Sequence, residues 1–459
     1  MLENPAKGRW RQLVNFGNAW GKLEDQKKPL PRIMDMKLVI VGAGYVGLPL
    51  ALGFTQKDLA VCMLDIDSTK IDALNKGQSY VHDIPSADIK KAVNDGLLAA
   101  TSNFENIAKA DSVIVCVPTP LGPNRAPNLQ FVMETAGNIG THLKNGQLVV
   151  LESTTYPGTT SGKFREELEA KSNLKAGVDF FLAFSPERED PGNPASRVGL
   201  IPKIVGGLTK RCQEKALALY QQIAGSVVPV SSCEVAEATK LLENIYRSVN
   251  IAMVNELKVI YDRMGIDIWE VIEAAKTKPF GYTPFYPGPG LGGHCIPIDP
   301  FYLTWKAREH GQNTRFIELA GEINNAMPQF VLGKIQDALN QKGKALKNSK
   351  VLIVGLAYKP DVNDCRESPS FEIMNLLQER GAIVQYYDPF FPSVPPTRKN
   401  PHWTGQTSIE WSEKTVSDND LAAIITNHTS VDHHQLLEWL PIIVDTRNVL
   451  QESEKVIKA

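Results

Sequence analysis

One cysteine lies in a segment whose composition is unusual for a structural thiol. Cys295 follows the glycine-rich run 288–294 and stands four residues before Asp299. Glycines in such a loop let backbone amides converge on a reacting atom, as in an anion-binding nest. A thiolate forms near neutral pH only in an electropositive setting of that kind. We therefore predict that Cys295 is a catalytic nucleophile, whereas Cys62 and Cys116 lie in apolar strands and suit the role of small buried hydrophobes.

Lys240 and Asn244 are four residues apart in a long helical pattern, so they share one helix face. A lysine and an amide that point into a pocket can stabilise a developing oxyanion. The same spacing, taken with Glu237 and Glu243, is equally typical of a solvated charged face. The pattern alone leaves both interpretations open.

A glycine fingerprint follows the first apolar strand. Gly42-Ala43-Gly44-Tyr45-Val46-Gly47 matches G-x-G-x-x-G and opens a helical run. In this motif the first glycine permits a tight turn, the second admits a pyrophosphate and the third allows close helix packing. The helix N-terminus offers free N–H groups to the phosphates. Asp65, 18 residues after Gly47, can accept from ribose hydroxyls and would repel a 2′-phosphate, which favours NAD over NADP.

Two further strands end in motifs rich in polar residues and proline. Val117-Pro118-Thr119-Pro120 follows one strand, and residues 152–158, which include Thr154, follow the next. Ligands of an open α/β sheet bind outside the carboxyl ends of its strands. The alternative is a plain turn at each position.

Apolar strands that alternate with helices position these motifs and predict an α/β fold with a parallel sheet covered on both faces. The pattern occurs twice, so we predict two Rossmann-like lobes joined by a helical middle domain. The predicted domains are an N-terminal extension, an NAD-binding domain, a central domain with the cysteine loop and a second Rossmann-like domain, at residues 1–35, 36–225, 226–330 and 331–459. The strands are expected near 37–41, 59–66, 112–117, 148–151, 351–355, 383–388, 421–425 and 442–445.

The central domain begins with a helical pattern over 233–264, which would be about 45 Å long at ~1.5 Å per residue. We predict that this helix bridges the lobes and offers a face for association into a homodimer or a higher homo-oligomer. An ordinary core helix is the alternative.

Bulk composition excludes several classes of function. The 459 residues carry a formal net charge of −2, so no global field attracts nucleic acid or an anionic membrane. No stretch approaches the ~20 apolar residues of a membrane span. The six cysteines form no C-x-x-C pair, which indicates free thiols in a reducing cytoplasm and no metal site.

Taken together, these motifs resemble the UDP-glucose/GDP-mannose dehydrogenase family, and the resemblance covers about 36–455. The matching motifs are at 42–47, 117–120, 152–154, 184–188, 240 with 244, 292–295, and 355–359 with 366–368. Within the family, the segments 185–193, 238–244, 278–281 and 286–305 are most similar to members that oxidise UDP-N-acetylglucosamine. His294 and Ile296 replace the serine and phenylalanine typical of enzymes for UDP-glucose. The UDP-N-acetylmannosamine and UDP-N-acetylgalactosamine members share much of this pattern, so the epimer stays open.

The resemblance implies that the domain at 331–459 binds the UDP-sugar. It implies a four-electron, NAD-dependent oxidation at the sugar C6 through a cysteine thiohemiacetal and thioester. The product would be a precursor for polysaccharide synthesis. The resemblance also implies that Lys240 and Asn244 stabilise the oxyanion, Asp299 positions or activates water, Glu187 assists hydrolysis and Thr154 holds the water. The implied substrate contacts are Glu187, Arg188, Lys240, Asn244, Gly292, Lys359 and Arg447. The cofactor contacts, from the fingerprint and the resemblance, are Gly42, Gly44, Tyr45, Val46, Gly47, Asp65, Pro118, Thr119, Thr154 and Arg366. A two-electron dehydrogenase and a non-catalytic NAD-binding protein are the alternatives, and intact Lys240, Cys295 and Asp299 argue against both.

Overall fold

The computed structural model describes residues 38–81, 84–122, 125–190, 199–293, 295–397 and 399–459. The extension predicted for residues 1–35, and His294 next to Cys295, lie outside these residues.

The strands are short and mostly buried. In chain order they are β1 Leu38–Val41, β2 Val61–Leu64, β3 Leu98–Thr101, β4 Ser112–Val115, β5 Leu148–Leu151, β6 Phe181–Phe184, β7 Lys203–Gly207, β8 Val227–Val230, β9 Lys350–Val354, β10 Ile383–Tyr387, β11 Leu421–Ile424, β12 Ile443–Asp445 and β13 Val456–Lys458.

The α-helices fall between these strands and in the middle of the chain. They are α1 Gly47–Thr55, α2 Ser68–Asn75, α3 Ser86–Asn94, α4 Gln130–His142, α5 Arg165–Ser172, α6 Lys210–Tyr220, α7 Cys233–Met264, α8 Ile268–Lys276, α9 Asp299–Glu309, α10 Arg315–Gln341, α11 Pro369–Glu379, α12 Glu413–Val416 and α13 Gln435–Trp439.

The strands form two sheets, which confirms the two Rossmann-like lobes. The first has the order β3-β2-β1-β4-β5-β6-β7-β8, and its first six strands are parallel in the order of a dinucleotide-binding fold. The second is parallel throughout, in the doubly wound order β10-β9-β11-β12-β13. In β1, Leu38 and Ile40 pack into one hydrophobic cluster while Val39 and Val41 pack into another, so helices cover both faces of the sheet.

Two strands, β7 and β8, depart from the predicted parallel arrangement, since they are parallel to each other and antiparallel to the other six strands of the first sheet. β7 runs antiparallel to β6, with Ala183 opposite Gly207 and Phe184 opposite Gly206. The direction matters because it brings the start of β7 to the edge of the sheet where β5 and β6 end.

Two long helices join the lobes. α7 begins at the Ser232 cap, whose hydroxyl accepts from the Val235 N–H, and ends at Gly265 with φ +68°. It packs against β6, β7 and β8 of the first lobe and against α10, and α10 packs against β11, β12 and α11 of the second. The connection is therefore a pair of helices, whereas the sequence predicted a single one. The predicted domain boundary at 330/331 falls inside α10.

An aspartate at the end of the second strand fixes the glycine turn in each lobe. In the first lobe, Asp65 accepts a hydrogen bond from the Ala43 N–H at 2.7 Å. In the second, Asp388 accepts from the Leu356 N–H at 2.6 Å and the Ala357 N–H at 2.9 Å. Asp388 is also bonded to the buried ring of His428 at 3.0 Å, so its carboxylate is fully enclosed by protein groups.

Candidate active site

The structure shows the tight turn predicted at Gly42 and the close helix packing predicted at Gly47, and it leaves open space at Gly44. Gly42 has φ +103°, and a Cβ there would lie 2.4 Å from the Cys116 carbonyl oxygen. A Cβ at Gly47 would lie 1.9 Å from the Gly42 oxygen, because α1 packs directly against the turn. A Cβ at Gly44 would meet no described atom within 4 Å. The backbone at Gly44 is thus open to a phosphate group.

The start of α1 and the end of β2 complete a site that fits NAD. Val46 is the N-cap residue of α1 and supplies no side-chain cap. Because the Leu48 N–H donates to the Gly44 carbonyl oxygen at 3.1 Å and Pro49 has no N–H, α1 offers a diphosphate mainly the positive end of its dipole. Asp65 accepts from the Asp67 N–H at 2.9 Å and pairs with Lys70 at 3.3 Å. These contacts hold the carboxylate beside the turn, where an adenosine ribose of the cofactor would lie.

The second lobe closes over this site. The guanidinium of Arg366 lies 4.7 Å from the centroid of the Tyr45 ring, and Asp364 fixes it at 2.6 Å. Tyr45 and Arg366 line a cavity of about 770 Å³ together with Pro118, Pro120 and Ile298. The structure therefore brings predicted cofactor residues of both lobes to one cavity. Thr119 is buried, and its carbonyl oxygen accepts from the Tyr302 hydroxyl at 2.6 Å.

The cysteine loop packs tightly against the second lobe. A Cβ at Gly292 would lie 2.6 Å from the Tyr358 Cβ, and the Gly293 N–H donates to the Arg366 carbonyl oxygen at 3.1 Å. Cys295 is half-buried, and its carbonyl oxygen accepts from the Asp299 N–H at 2.8 Å in the first turn of α9. The loop thus holds the thiol one helical turn from a carboxylate.

Lys240, Arg247 and Arg366 favour the Cys295 thiolate, but burial and Asp299 outweigh them. Burial and the neighbouring Asp299 raise the pKa of the thiol to about 11, against the smaller opposing effects of Lys240, Arg247 and Arg366. The thiol is therefore protonated at neutral pH, because a buried negative charge beside a carboxyl group is unfavourable.

The shared face of Lys240 and Asn244 is buried, which decides between the two interpretations of their spacing. Glu237, Lys240 and Asn244 are all buried against the first lobe and the cysteine loop, so this is not a solvated face. The Asn244 amide donates to an Asp299 oxygen at 2.6 Å. Burial raises the pKa of Asp299 to about 7, although Lys240 and the Asn244 bond lower it. Asp299 can therefore exchange a proton near neutral pH.

Glu187 has each carboxylate oxygen occupied. One accepts from the backbone N–H groups of Arg188 and Glu189, both at 2.6 Å, and the other lies 3.3 Å from the Lys203 ammonium. Burial would raise the pKa of Glu187, but Lys203 and these N–H groups outweigh burial and lower it. Thr154 is half-buried in the loop that follows β5.

The predicted substrate contacts are engaged with protein partners. Arg188 binds Glu243 at 2.7 Å and the Pro202 carbonyl oxygen at 2.6 Å. Lys359 pairs across the lobes with Asp190 at 2.7 Å.

Arg447 lies beside the beginning of the cysteine loop. A Cβ at Gly288 would meet its guanidinium at 2.8 Å, and its Nε donates to the Ile425 carbonyl oxygen at 2.6 Å. Burial lowers the pKa of Arg447 to about 10, against the opposing effect of Asp445. An anionic ligand would therefore stabilise the charged form of the Arg447 guanidinium.

Sequence reasoning missed the partners of these residues. Lys203, Tyr220 and Asp364 each hold a predicted site residue or its neighbour, yet no motif distinguishes them in the sequence. Glu152 and Asp190 lie inside motifs that the sequence analysis singled out, but no role was predicted for either. Within the described residues, no group of three or more His, Cys, Asp or Glu side chains could hold a metal ion. None of the described helices is both long and apolar enough to cross a membrane.

Comparisons with known proteins find three domains of one family along the chain. Models of the UDP-glucose/GDP-mannose dehydrogenase family match here with their NAD binding domain at residues 36–224, central domain at 234–326 and UDP binding domain at 352–452. A UDP-N-acetyl-D-glucosamine 6-dehydrogenase of Pseudomonas aeruginosa is 37% identical over 78% of this chain and 83% of its own length. A UDP-N-acetyl-D-mannosamine dehydrogenase of Campylobacter jejuni is 34% identical over 85% and 95% of the two chains. The solved structure of a UDP-D-ManNAc dehydrogenase from Pyrococcus horikoshii superposes with a TM-score of 0.83 at 30% identity, covering 92% of this chain and 98% of that one.

Proposed function

This chain belongs to the UDP-glucose/GDP-mannose dehydrogenase family and uses NAD, and from that premise we propose that it oxidises the C6 hydroxymethyl group of a UDP-N-acetylhexosamine to a carboxylate. The observation that carries the proposal is the cluster of Cys295, Asp299 and Asn244, with the 2.6 Å bond between the last two and the buried Lys240 beside them. A simple alcohol dehydrogenase has no use for a cysteine held in this way.

The chemistry proceeds through a covalent link to Cys295. When bound, NAD accepts one hydride in each of two oxidations. The C6 alcohol first loses a hydride and a proton and becomes an aldehyde. The Cys295 sulfur then forms a C–S bond to the aldehyde carbon, and the thiol proton ends on the former carbonyl oxygen as a thiohemiacetal. Loss of the second hydride and of that proton leaves a thioester. Water attacks the thioester, the C–S bond breaks and the sulfur regains a proton.

Each proposed role follows from the position of a group. Lys240 and Asn244 stabilise the oxygen that becomes negative at the carbon attacked by the sulfur. Asp299, with its pKa raised to about 7, exchanges the proton of the thiol or of the attacking water. Glu187 acts as the base in hydrolysis, with Thr154 holding the water. A covalent intermediate keeps the aldehyde from escaping.

The cofactor and the UDP-sugar are assigned to different sets of residues. We assign the cofactor to Gly42, Gly44, Tyr45, Val46, Gly47, Asp65, Pro118, Thr119, Thr154 and Arg366. We assign the UDP-sugar to Glu187, Arg188, Lys240, Asn244, Gly292, Lys359 and Arg447. The diphosphate would displace Asp190 from Lys359 and provide Arg447 with the anion that its buried guanidinium lacks.

UDP-N-acetylglucosamine is the proposed substrate. The support is the 37% identity with a UDP-N-acetyl-D-glucosamine 6-dehydrogenase. UDP-N-acetylmannosamine is the second candidate, because the Campylobacter jejuni relative matches a larger share of this chain.

The deciding experiment counts the NADH formed per sugar at limiting UDP-sugar and excess NAD, with UDP-N-acetylglucosamine, UDP-N-acetylmannosamine, UDP-N-acetylgalactosamine and UDP-glucose in parallel. About two NADH per UDP-N-acetylglucosamine, with a uronate product, is expected. One NADH per sugar would indicate a two-electron dehydrogenase. Binding of NAD with no turnover would indicate a non-catalytic protein. Two NADH from another sugar of the panel would move the substrate assignment. Cys295→Ala should bind NAD and form no uronate.

We also propose that the enzyme is a cytoplasmic homodimer. All six cysteines are free, as a reducing compartment requires. The outer face of α7 exposes five large apolar side chains at helical spacing: Leu242, Tyr246, Met253, Ile260 and Met264. A second copy that packs α7 against α7 would cover them. Sedimentation velocity should give twice the chain mass, and a monomer at micromolar concentration would contradict the assignment.

A further inference from the structure

A buried lysine lies between two carboxylates at the edge of the first sheet. The ammonium of Lys203 is 2.8 Å from an oxygen of Glu152 and 3.3 Å from an oxygen of Glu187. The other oxygen of Glu152 accepts from the hydroxyl of Tyr220, which is fully buried on α6. The lysine side chain is 11% exposed and that of Glu152 is 0% exposed, so water screens this group very little.

The direction of β7 explains how the lysine reaches this position. Glu152 directly follows β5, and Glu187 follows β6 at the same edge. Because β7 is antiparallel to β6, its first residue lies at that edge also. Continuing the register of Phe184 opposite Gly206 places Lys203 opposite Glu187. A parallel β7 would have carried Lys203 to the far edge of the sheet.

The charges that face Glu187 are few and come from several elements. Lys203 approaches from β7, Lys240 from α7, Glu152 from the end of β5, and Arg188 and Glu189 are its chain neighbours. Tyr220 and Cys116 face the other side of the same cluster. The two lysines and the two backbone N–H groups favour the ionised carboxylate, whereas burial and the neighbouring carboxyl groups oppose it. Among these groups, the Lys203 ammonium, 3.3 Å away, is the positive charge that contributes most to keeping Glu187 ionised.

From this geometry, and resting on the function proposed above, we propose that Lys203 is a positioning residue for hydrolysis of the Cys295 thioester. It holds Glu187 ionised and oriented as the base, while Glu152 and Tyr220 fix the lysine in place. The role is distinct from substrate binding, because Lys203 is enclosed by carboxylates and an aromatic ring 5.3 Å away. Its effect should therefore fall on the last step of the reaction.

The test separates the hydride-transfer steps from hydrolysis. In Lys203→Met the first burst of NADH should stay within about twofold of the parent, since the aldehyde and thioester form without Glu187. Hydrolysis should slow by roughly 10-fold or more at neutral pH, where Glu187 stays ionised but is no longer held in position, because a correctly placed general base contributes ~10²–10⁴-fold. Intact-mass analysis of quenched enzyme should show the sugar accumulating on Cys295. The acid limb of the hydrolysis rate should move up by about one pH unit or more, as expected when a cation within ~4–6 Å is lost. Lys203→Arg should restore most of the rate.

Two further variants keep the test decisive if Lys203→Met fails to fold. The double variant Lys203→Met, Glu152→Gln removes both members of the buried pair and leaves no uncompensated charge at Glu152. It should show the same shift of the acid limb and the same accumulation. Lys210→Met removes an exposed lysine at the start of α6 and should behave like the parent.

The outcomes distinguish this inference from the function on which it rests. If Glu187→Gln accumulates the covalent sugar but the Lys203 variants keep the parent pH profile, the role of Lys203 is wrong and the proposed function stands. If Glu187→Gln hydrolyses the thioester at the parent rate, the role of Glu187 is wrong and that of Lys203 is overturned with it. A uniform loss of both steps without a pH shift would mean that Lys203 only stabilises the fold.

Discussion

The amide of Asn244 donates a 2.6 Å hydrogen bond to Asp299, so a residue of the long helix α7 fixes a carboxyl group in the first turn of α9. The backbone N–H of Asp299 in turn donates to the carbonyl oxygen of Cys295 at 2.8 Å. Through these two hydrogen bonds, helix α7, which packs on the first lobe, orients the loop that carries the Cys295 thiol. Removing either end of this chain of contacts should change the reactivity of the thiol in a direction that can be stated in advance.

Asp299→Asn should make Cys295 more reactive. Burial contributes most to the raised pKa of this thiol and Asp299 next, while Lys240 lowers it. Loss of the negative charge lowers the thiol pKa, so more thiolate is present at a given pH and alkylation by iodoacetamide at pH 8 should be roughly tenfold faster for each pKa unit lost. Lys240→Met should have the opposite effect and slow alkylation. Peptide mapping measures Cys295 and Cys62 in the same sample, and equal changes at both cysteines would refute a local electrostatic effect.

The glycine turn offers a pair of substitutions with separable effects. Gly44→Ala should leave the thermal midpoint within a few degrees of the parent, since its Cβ meets no described atom within 4 Å, but it should weaken NAD binding at least tenfold. Gly47→Ala should destabilise the fold by about 1–3 kcal/mol or more, because its Cβ would lie 1.9 Å from the Gly42 oxygen. Thermal melts and NAD titrations check both. Unchanged NAD affinity in Gly44→Ala would mean that the diphosphate lies elsewhere.

Asp65 should set the preference for NAD over NADP. Asp65→Asn keeps an oxygen to accept the 2.7 Å bond from the Ala43 N–H, so the turn should persist. The substitution removes the charge that repels a 2′-phosphate, and the ratio of kcat/KM for NAD over NADP should fall roughly tenfold, or ~1.4 kcal/mol. Asp72→Asn, exposed on α2, removes the same charge nearby and serves as the control. A ratio that falls equally in both variants would assign the preference to the general field of the lobe.

Glu237 should make stability depend on pH. It is buried on α7 and accepts from the Gly158 N–H at 2.7 Å and the Thr160 hydroxyl at 2.7 Å. Burial raises the pKa of Glu237 to about 7, so the native chain holds a proton that the unfolded chain releases near pH ~4.3. Native protein thus binds more protons across this window, and the free energy of unfolding should fall as pH rises from about 4 to about 7.

Glu237→Gln should flatten that dependence and cost about 1–3 kcal/mol, because the amide turns a donor toward N–H groups that need an acceptor. Urea unfolding at several pH values measures both effects. Glu256→Gln, exposed on the same helix, should change neither. A parent slope that persists in Glu237→Gln would assign the titration to another buried carboxyl group.

The sequence was informative wherever function depends on a local motif. The glycine turn, the cysteine loop and the full extent of α7 were predicted, because glycine spacing and helical periodicity are properties of contiguous residues. The antiparallel pairing of β7 was not, since an apolar strand looks the same in either direction. Lys203 was missed for that reason. The raised pKa of Cys295 could not be predicted from the motif either, because it depends on burial that arises only when the loop packs against the rest of the chain.

The enclosed Asp388 bears on where the cofactor binds during the two proposed hydride transfers. The glycine turn of the second lobe is built like the first, but two N–H groups and the His428 ring occupy the carboxylate that would otherwise receive a ribose. Asp65 also accepts from two N–H groups, but its side chain is 9% exposed whereas that of Asp388 is 0% exposed, so we expect both hydrides to leave through the dinucleotide pocket of the first lobe. The reduced cofactor must then depart and a fresh molecule enter while the half-oxidised sugar waits. In the mechanism that we propose, the thiohemiacetal on Cys295 would therefore act as a tether whose lifetime must exceed the time needed for cofactor exchange.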